Sequence, residues 1–210
     1  MIPRFPVYLF DVDGTLLDSA VDICGAVQQV IDWNGGGTQD FEYLKSYIGH
    51  HLVDLFQEVF PACDAARIDA LVEQYRTFYR ARGHKLTKVY PGALEGLAAL
   101  AGRKSTATTK GTPTTRAVLE QFGLLPYFHH VQGTDGFPAK PEPNVILASL
   151  EVFGVKPQDC LFIGDSPTDM EAGRRAGVKT CAVLWGYGRR AELARWEPDY
   201  WVEQPSELRV

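Results

Sequence analysis

A short, continuously apolar segment near the N-terminus predicts a buried strand. Residues 6–10 read Pro-Val-Tyr-Leu-Phe and are followed at once by the polar sequence Asp-Val-Asp-Gly-Thr. A run that is apolar at every position is typical of a strand in a parallel sheet, because helices cover both faces of such a sheet. We therefore place a strand over 6–10 that ends near Asp11 in a polar turn.

The next part of the chain has a helical rhythm. Between about Asp18 and Arg82, apolar residues recur at three- and four-residue spacing. They fall in three stretches, 21–31, 52–60 and 68–78. Gly-Gly-Gly at 35–37 and Pro-Ala-Cys-Asp at 61–64 separate these stretches, as expected of helix breakers. No strand is predicted in this block, which reads as an all-helical insertion.

Beyond Tyr-Pro-Gly at 90–92, strand and helix patterns alternate. The predicted strands are 104–108, 129–132, 160–163 and 179–184, and the predicted helices are 93–101, 113–122, 144–153 and 168–176. Glycines follow these helices at 102, 123, 154 and 177, where a left-handed C-cap favours glycine. Because such alternation builds right-handed βαβ units, we predict an α/β protein with one parallel-sheet core, residues 1–15 and 86–210, and a helical insertion, residues 16–85.

Composition excludes several classes of protein. The 210-residue chain is 45% hydrophobic and 22% charged, with a net charge of -5, which is the wrong sign for a nucleic-acid partner. No apolar run approaches the roughly 20 residues of a membrane span, and the first residues lack the pattern of a signal peptide. The four cysteines have no CxxC spacing, which favours reduced, packing cysteines. We expect a soluble, cytoplasmic protein with no membrane partner, either a monomer or a homodimer.

Polar and charged residues come directly after the predicted strands of the core. They are Asp11, Asp13 and Gly14 after the first strand, Thr108 and Thr109 at the end of the second, Lys140 in the loop after the third, and Asp165 and Asp169 after the fourth. Taken alone, each of these residues has a simpler, structural explanation. Asp-Gly makes tight turns, acidic residues cap helices, and lysines in loops are solvated. Because the carboxyl ends of parallel strands share one edge of the sheet, their common placement favours a single site there.

Four segments resemble the motifs of the haloacid dehalogenase-like hydrolase superfamily, in its phosphoglycolate phosphatase-like branch. They are DVDGTLLDS at 11–19, the strand end Thr-Thr-Lys at 108–110, KPEP at 140–143 and GDSPTDM at 164–170. The resemblance implies a Rossmann-like core with an α-helical cap domain inserted after the first motif. It also implies a Mg²⁺-dependent phosphatase that acts on a small phosphorylated metabolite, with phosphoglycolate as the default substrate.

Chemistry and resemblance together give the carboxylates separate roles. Asp11 is the expected nucleophile, forming an aspartyl-phosphate, and Asp13 the expected acid that protonates the leaving alcohol and later activates water. An all-oxygen set suited to Mg²⁺ consists of Asp11, the backbone carbonyl of Asp13, and Asp165. Asp169 is expected to act through a water or by orienting Asp165.

The remaining candidates would bind the substrate. Lys140 supplies a positive charge to the phosphoryl oxygens, and the Thr108 hydroxyl with the Thr109 amide supplies hydrogen bonds. Gly14 lets the chain turn sharply over the bound group. In the insertion, Tyr-Ile-Gly-His-His at 47–51 resembles a substrate-specificity loop, so His50 and His51 either contact the non-phosphate end of the substrate or simply face solvent.

Three other functions remain open on the same scaffold. One is a β-phosphoglucomutase-like phosphosugar mutase, another a pyrophosphatase or nucleotidase, and the third a catalytically silent interaction protein. The intact carboxylates and lysine argue against the silent protein. A phosphonoacetaldehyde hydrolase is disfavoured because Lys45 precedes the glycine of the 47–51 loop rather than standing where a Schiff-base lysine is expected.

Overall fold

The computed structural model describes residues 2–209. Its strands are β1 Val7–Phe10, β2 Leu17–Asp18, β3 Lys88–Val89, β4 Arg103–Thr106, β5 Cys160–Gly164, β6 Lys179–Val183 and β7 Tyr200–Val202. Its α-helices are α1 Ala20–Trp33, α2 Phe41–Ser46, α3 Leu52–Val59, α4 Ala65–Arg82, α5 Ala93–Ala99, α6 Thr112–Gln121, α7 Asn144–Phe153, α8 Pro167–Ala176 and α9 Arg190–Leu193. The chain divides into two compact units, a core unit of residues 2–18 and 88–209 and a helical unit of residues 19–87.

The core unit is built on a five-stranded parallel sheet in the order β4-β1-β5-β6-β7. The first strand lies inside the sheet, between β4 and β5, and is fully buried. Its side chains alternate between faces: Val7 and Leu9 pack in a cluster with residues of α7 and α8, whereas Tyr8 and Phe10 pack in a cluster with residues of α5 and α6. Helices therefore cover both faces, which confirms the predicted α/β class and explains the unbroken apolar run of β1.

The predicted strand at 129–132 is wrong. This segment makes only an isolated bridge between Ser105 and His130. Beyond that bridge, Gln132 hydrogen-bonds to a side chain and not to the backbone of a neighbouring strand. Oγ1 of Thr106 accepts from the Gln132 amide and donates to the Gln132 carbonyl, both at 2.9 Å. Because the Thr106 side chain satisfies both the amide and the carbonyl of Gln132, these groups do not pair with a strand.

Two smaller features also differ from expectation. Gly102 is not a left-handed cap, because α5 ends at Ala99 and Leu100 follows it in an extended conformation. A side chain at Gly102 would place Cβ 2.4 Å from the Phe5 carbonyl oxygen, so close packing is the reason for glycine here. In addition, β2 and β3 form an antiparallel pair two residues long, too short to leave a pattern in the sequence.

The helical unit consists of α1 to α4 around its own apolar core. That core contains Ile23, Val27, Val30, Ile31, Leu55, Phe56, Ile68, Leu71, Tyr75 and Tyr79, among others. Buried Asp22 links the beginning and the end of the unit: its Oδ2 accepts from the Leu86 amide at 2.9 Å and from the Thr87 hydroxyl at 2.8 Å. None of the helices described in residues 2–209 has the length and apolar character needed to cross a membrane.

Candidate active site

The carboxyl end of β1 fixes Asp11 between two neighbouring strands. Its amide donates to the Ile163 carbonyl of β5 at 2.9 Å, and the amide of Ala107, just after β4, donates to the Phe10 carbonyl at 2.7 Å. The Asp11 side chain is buried, with 3% of the residue exposed. The position of β1 between β4 and β5 therefore places this carboxylate at the edge where these three strands end.

Gly14 turns the chain directly over a second carboxylate. Its φ of +89° lies in the region that favours glycine. A Cβ at this position would stand 2.2 Å from Oδ2 of Asp165. Both observations require glycine, and they show that the turn after β1 packs against the loop after β5.

Lys140 joins the carboxylates although it comes from a distant loop. Its Nζ donates to Oδ1 of Asp11 at 2.9 Å, to the Ala107 carbonyl at 3.0 Å and to Oδ1 of Asp169 at 2.5 Å. Burial lowers the pKa of the Lys140 ammonium, but the two carboxylates outweigh burial and hold this pKa above its ordinary value. The structure thus places a permanent positive charge against the predicted nucleophile.

Asp165 is held from both sides. Oδ1 accepts from the Thr15 hydroxyl at 2.8 Å, and Oδ2 accepts from the Tyr187 amide at 2.8 Å. Trp185 in turn fixes Thr15, because its indole Nε1 donates to the Thr15 carbonyl at 2.9 Å. These contacts leave the Asp165 carboxylate one orientation, that of a preorganised ligand or acceptor.

The loop after β6 was missed by sequence reasoning. It follows the strand predicted at 179–184 and reads Trp-Gly-Tyr-Gly at 185–188. A Cβ at Gly186 would lie 2.3 Å from the Asp165 Cβ, and one at Gly188 would lie 1.9 Å from the Asp165 carbonyl oxygen. Two glycines separated by one aromatic residue directly after a strand were the available signal of a close backbone approach.

Asp169 lies in the first turn of α8 and forms a capping box with Ser166, the N-cap residue. Its Oδ2 accepts from the Ser166 amide at 2.9 Å and from the Ser166 hydroxyl at 2.6 Å, while Oδ1 faces Lys140. Asp169 therefore does have the structural role of an acidic helix-capping residue. The same carboxylate also serves the site, because it positions Lys140.

Three buried carboxylates lie close enough to share a cation. Each of Asp11, Asp165 and Asp169 offers an oxygen within 4.8 Å of the others. Burial, reinforced by Asp169 and Asp13, raises the pKa of the Asp11 carboxyl to about 7 despite the opposing charge of Lys140. Burial and the charges of Asp169 and Asp11 likewise raise the pKa of Asp165 well above its ordinary value. Oxygen donors whose negative charge is incompletely balanced fit a hard divalent cation.

The Asp13 carboxylate has a different neighbour. Lys110 places Nζ 2.9 Å from Oδ2 of Asp13, and about nine-tenths of each side chain is buried. Thr108 is buried, and its Oγ1 accepts from the Lys110 amide at 3.3 Å. Thr109, beside it, is partly exposed. Asp13, which follows β1, and Thr108, which follows β4, are therefore brought together through Lys110. The sequence had not singled out Lys110 as a site residue.

His50 and His51 belong to the helical unit and stay predictions. Both residues are exposed. Nδ1 of His51 accepts from the Val53 amide at 3.3 Å and so caps α3, whereas the ring of His50 lies 6.1 Å from that of Tyr47. Capping is a local structural role that a loop histidine fills without any catalytic function.

Fold and site together define an α/β enzyme whose carboxylates and lysines meet at the ends of parallel strands. Comparison with known proteins agrees: the family model described as haloacid dehalogenase-like hydrolase matches residues 8–183. The chain belongs to this family, in its phosphoglycolate phosphatase-like branch, and is a phosphatase.

Individual relatives match over nearly the whole chain. A phosphoglycolate phosphatase from Aquifex aeolicus is 34% identical, over 96% of this chain and 94% of its own length. A pyrophosphatase from Anoxybacillus flavithermus is 32% identical, over 95% and 93%. Among solved structures, a haloacid dehalogenase-like family hydrolase from Streptococcus pneumoniae matches with a TM-score of 0.87 at 26% identity, covering 97% of this chain and 96% of that one.

Proposed function

We propose that this protein is a Mg²⁺-dependent phosphatase that hydrolyses a small phosphate monoester through an aspartyl-phosphate on Asp11. The observation that carries the proposal is the contact between Asp11 and Lys140 at 2.9 Å, deep in a pocket of carboxylates at the ends of β1 and β5. Phosphoglycolate is the first candidate substrate, since similar proteins carry the name phosphoglycolate phosphatase.

The bound cation would be held by Asp11 and Asp165, together with the backbone carbonyl of Asp13. When bound, it neutralises phosphoryl oxygens and the carboxylates around them. Thr15 and the Tyr187 amide keep Asp165 in place for this role. Mg²⁺ suits the set because every donor is an oxygen.

The first half of the reaction transfers the phosphoryl group to the protein. A carboxylate oxygen of Asp11 attacks phosphorus as the bond to the ester oxygen breaks, and Asp13 gives its proton to that oxygen. Lys140 stabilises the negative charge on the phosphoryl oxygens and keeps Asp11 oriented through Oδ1. The product at this stage is a free alcohol and phosphorylated Asp11.

The second half returns the protein to its starting state. Asp13, now deprotonated, takes a proton from water as the water oxygen attacks phosphorus and the bond to Asp11 breaks. Inorganic phosphate leaves, Asp11 is again a carboxylate, and Asp13 again carries its proton. One carboxylate acts in turn as acid and base, which explains why two aspartates are placed on one short turn.

The test is a phosphate-release assay over phosphorylated metabolites, with Mg²⁺ and with chelator. The panel contains phosphoglycolate, pyrophosphate, nucleoside monophosphates and a hexose 1-phosphate. Rapid quenching followed by treatment with hydroxylamine should release phosphate from the protein and mark Asp11 as a hydroxamate in the peptide map. Turnover without any acyl-phosphate on Asp11 would contradict the mechanism.

A pyrophosphatase is the second candidate. Relatives of comparable identity are named pyrophosphatases, which favours inclusion of pyrophosphate as a leading substrate. Efficient hydrolysis of pyrophosphate with weak hydrolysis of phosphoglycolate would select this alternative. Conversion of the hexose 1-phosphate into its 6-phosphate isomer would instead indicate the mutase.

A further inference from the structure

We propose that Lys110 is a specificity-determining residue that selects substrates whose leaving group carries an anion close to the bridging oxygen. This inference rests on the proposed function and deepens it. The class comprises small 2-phospho acids and pyrophosphate, and it excludes esters of neutral alcohols of the same size.

The Lys110 ammonium lies on the leaving-group side of the site. It lies 2.9 Å from Oδ2 of Asp13, the group that protonates the leaving oxygen, whereas Lys140 contacts the nucleophile Asp11. The two lysines thus serve opposite ends of the reacting bond. When the leaving oxygen and the Lys110 nitrogen contact the same carboxylate oxygen of Asp13 along its two lone pairs, they stand roughly 5 Å apart. A carboxylate one carbon away from that oxygen covers most of the distance.

The backbone of Lys110 is fixed by contacts with neighbouring segments. Its carbonyl accepts from the Thr134 amide at 3.0 Å, and its amide donates to Oγ1 of Thr108. Gly133 packs so tightly that a Cβ there would lie 2.3 Å from the Lys110 carbonyl oxygen. These contacts fix the backbone from which the side chain extends, and the ion pair with Asp13 holds the ammonium, so less entropy is lost on binding.

The two lysines differ in burial. The Lys140 side chain is 0% exposed and the Lys110 side chain 9% exposed, so Lys110 is the one of the two that can be reached from solvent. An ammonium group has three N–H donors, which allows it to hold Asp13 and a substrate anion together. A hydroxyl in place of that anion accepts a hydrogen bond from the ammonium but forms no ion pair with it, so its contact is weaker.

The experiment compares two esters that differ in charge and hardly in size, 2-phosphoglycolate and 2-hydroxyethyl phosphate. We expect wild-type kcat/KM to favour phosphoglycolate. Lys110→Met keeps the length of the side chain and removes its charge, and it should reduce the preference at least ten-fold, which equals about 1.4 kcal/mol. Lys110→Arg keeps the charge and should retain most of the preference.

Lys156→Met is the matched control. Lys156 is exposed and precedes the beginning of β5, so it lies at the opposite end of the strand from the site. This variant removes the same charge from the core unit and should leave both kcat/KM values within two-fold of wild type.

The outcomes separate this inference from the proposed function. Equal losses on both esters in Lys110→Met would show that the lysine serves only Asp13, and a wild-type protein without preference would also overturn the inference; in both cases the phosphatase proposal stands. If wild type hydrolyses no ester and no pyrophosphate, the proposed function and this inference fail together. Should Lys110→Met not fold, the wild-type preference and the Lys110→Arg variant decide.

Discussion

Replacement of Asp11 by asparagine should remove activity and yet stabilise the metal-free protein. The carboxylate of Asp11 is buried beside Asp165 and Asp169, and its only cationic partner in the described residues is Lys140. An asparagine has nearly the same shape and keeps a carbonyl that accepts from Lys140. It brings no negative charge into the cluster, so the electrostatic cost of folding is smaller.

The size of this effect follows from the pKa of Asp11. Burial raises it from 3.8 to about 7, and each unit corresponds to about 1.36 kcal/mol, so the ionised carboxylate costs up to about 4 kcal/mol above pH 7. The variant loses a charge-assisted hydrogen bond with Lys140, which offsets part of the gain. We expect Asp11→Asn to be more stable by about 1 to 4 kcal/mol at pH 8.

The direction in which folding stability changes with pH follows from the number of protons that the folded and unfolded states bind. Because the folded-state pKa is raised, the folded protein binds more protons than the unfolded chain between pH 3.8 and about 7. Stability of the metal-free wild type therefore falls as pH rises through this window and levels off above it. Asp11→Asn should show a smaller fall, with Asp165 responsible for what remains.

The assay is urea denaturation in EDTA at pH 5.5 and pH 8, with phosphatase activity measured separately in Mg²⁺. Activity should fall at least about a hundred-fold, as is usual when a key catalytic group is removed. Asp69→Asn, on the exposed surface of α4, is the control and should change stability by less than about 0.5 kcal/mol. A variant that is less stable than wild type at pH 8, or equally dependent on pH, would refute the electrostatic reasoning; activity above about a hundredth of wild type would refute the role of nucleophile.

Three further predictions concern the same pocket. Chelation should abolish activity and lower Tm, and Mg²⁺ should restore both; full activity after exhaustive chelation would contradict the metal site. Lys140→Met should destabilise the protein by about 3 to 5 kcal/mol in urea denaturation, since Asp11 and Asp169 lose their buried cation, and unchanged stability would disprove this. Gly186→Ala should cost about 1 to 3 kcal/mol and most of the activity, because the new Cβ displaces Asp165; a crystal structure with Asp165 in place and normal kcat would show that the loop has room.

Local sequence patterns predicted much of the fold. The apolar run of β1, the helix at 144–153 and the strand after Pro157 are signals carried by neighbouring residues, and the structure has α7 at Asn144–Phe153 and β5 at Cys160–Gly164. The order of elements then required a parallel sheet, because strands that alternate with helices return in the same direction. Motif spacing was enough to gather Asp11, Asp165 and Lys140 at one edge.

Contacts between distant segments decided what the patterns could not. Thr106 satisfies the backbone of Gln132 and so replaces the expected strand at 129–132, a choice that depends on a side chain 26 residues away. Lys110 reached Asp13 only because the ends of β1 and β4 lie side by side. The pattern of apolar and polar residues predicts which positions of an element are buried. It does not predict which polar groups from distant segments will contact one another.

The orientation of Asp165 shows the same division. From the sequence, Asp165 and Asp169 were candidates four residues apart at the start of a helix; the family resemblance assigned Asp165 to the cation and Asp169 to an indirect role. In the structure Asp169 caps α8 and holds Lys140, while Asp165 is turned by Thr15 and by the amide of Tyr187. Residue type and order determined that carboxylates would be available at this edge of the sheet. The orientation and the partners of each carboxylate were decided by tertiary structure, since a buried carboxylate takes the orientation in which donors from other segments satisfy its oxygens.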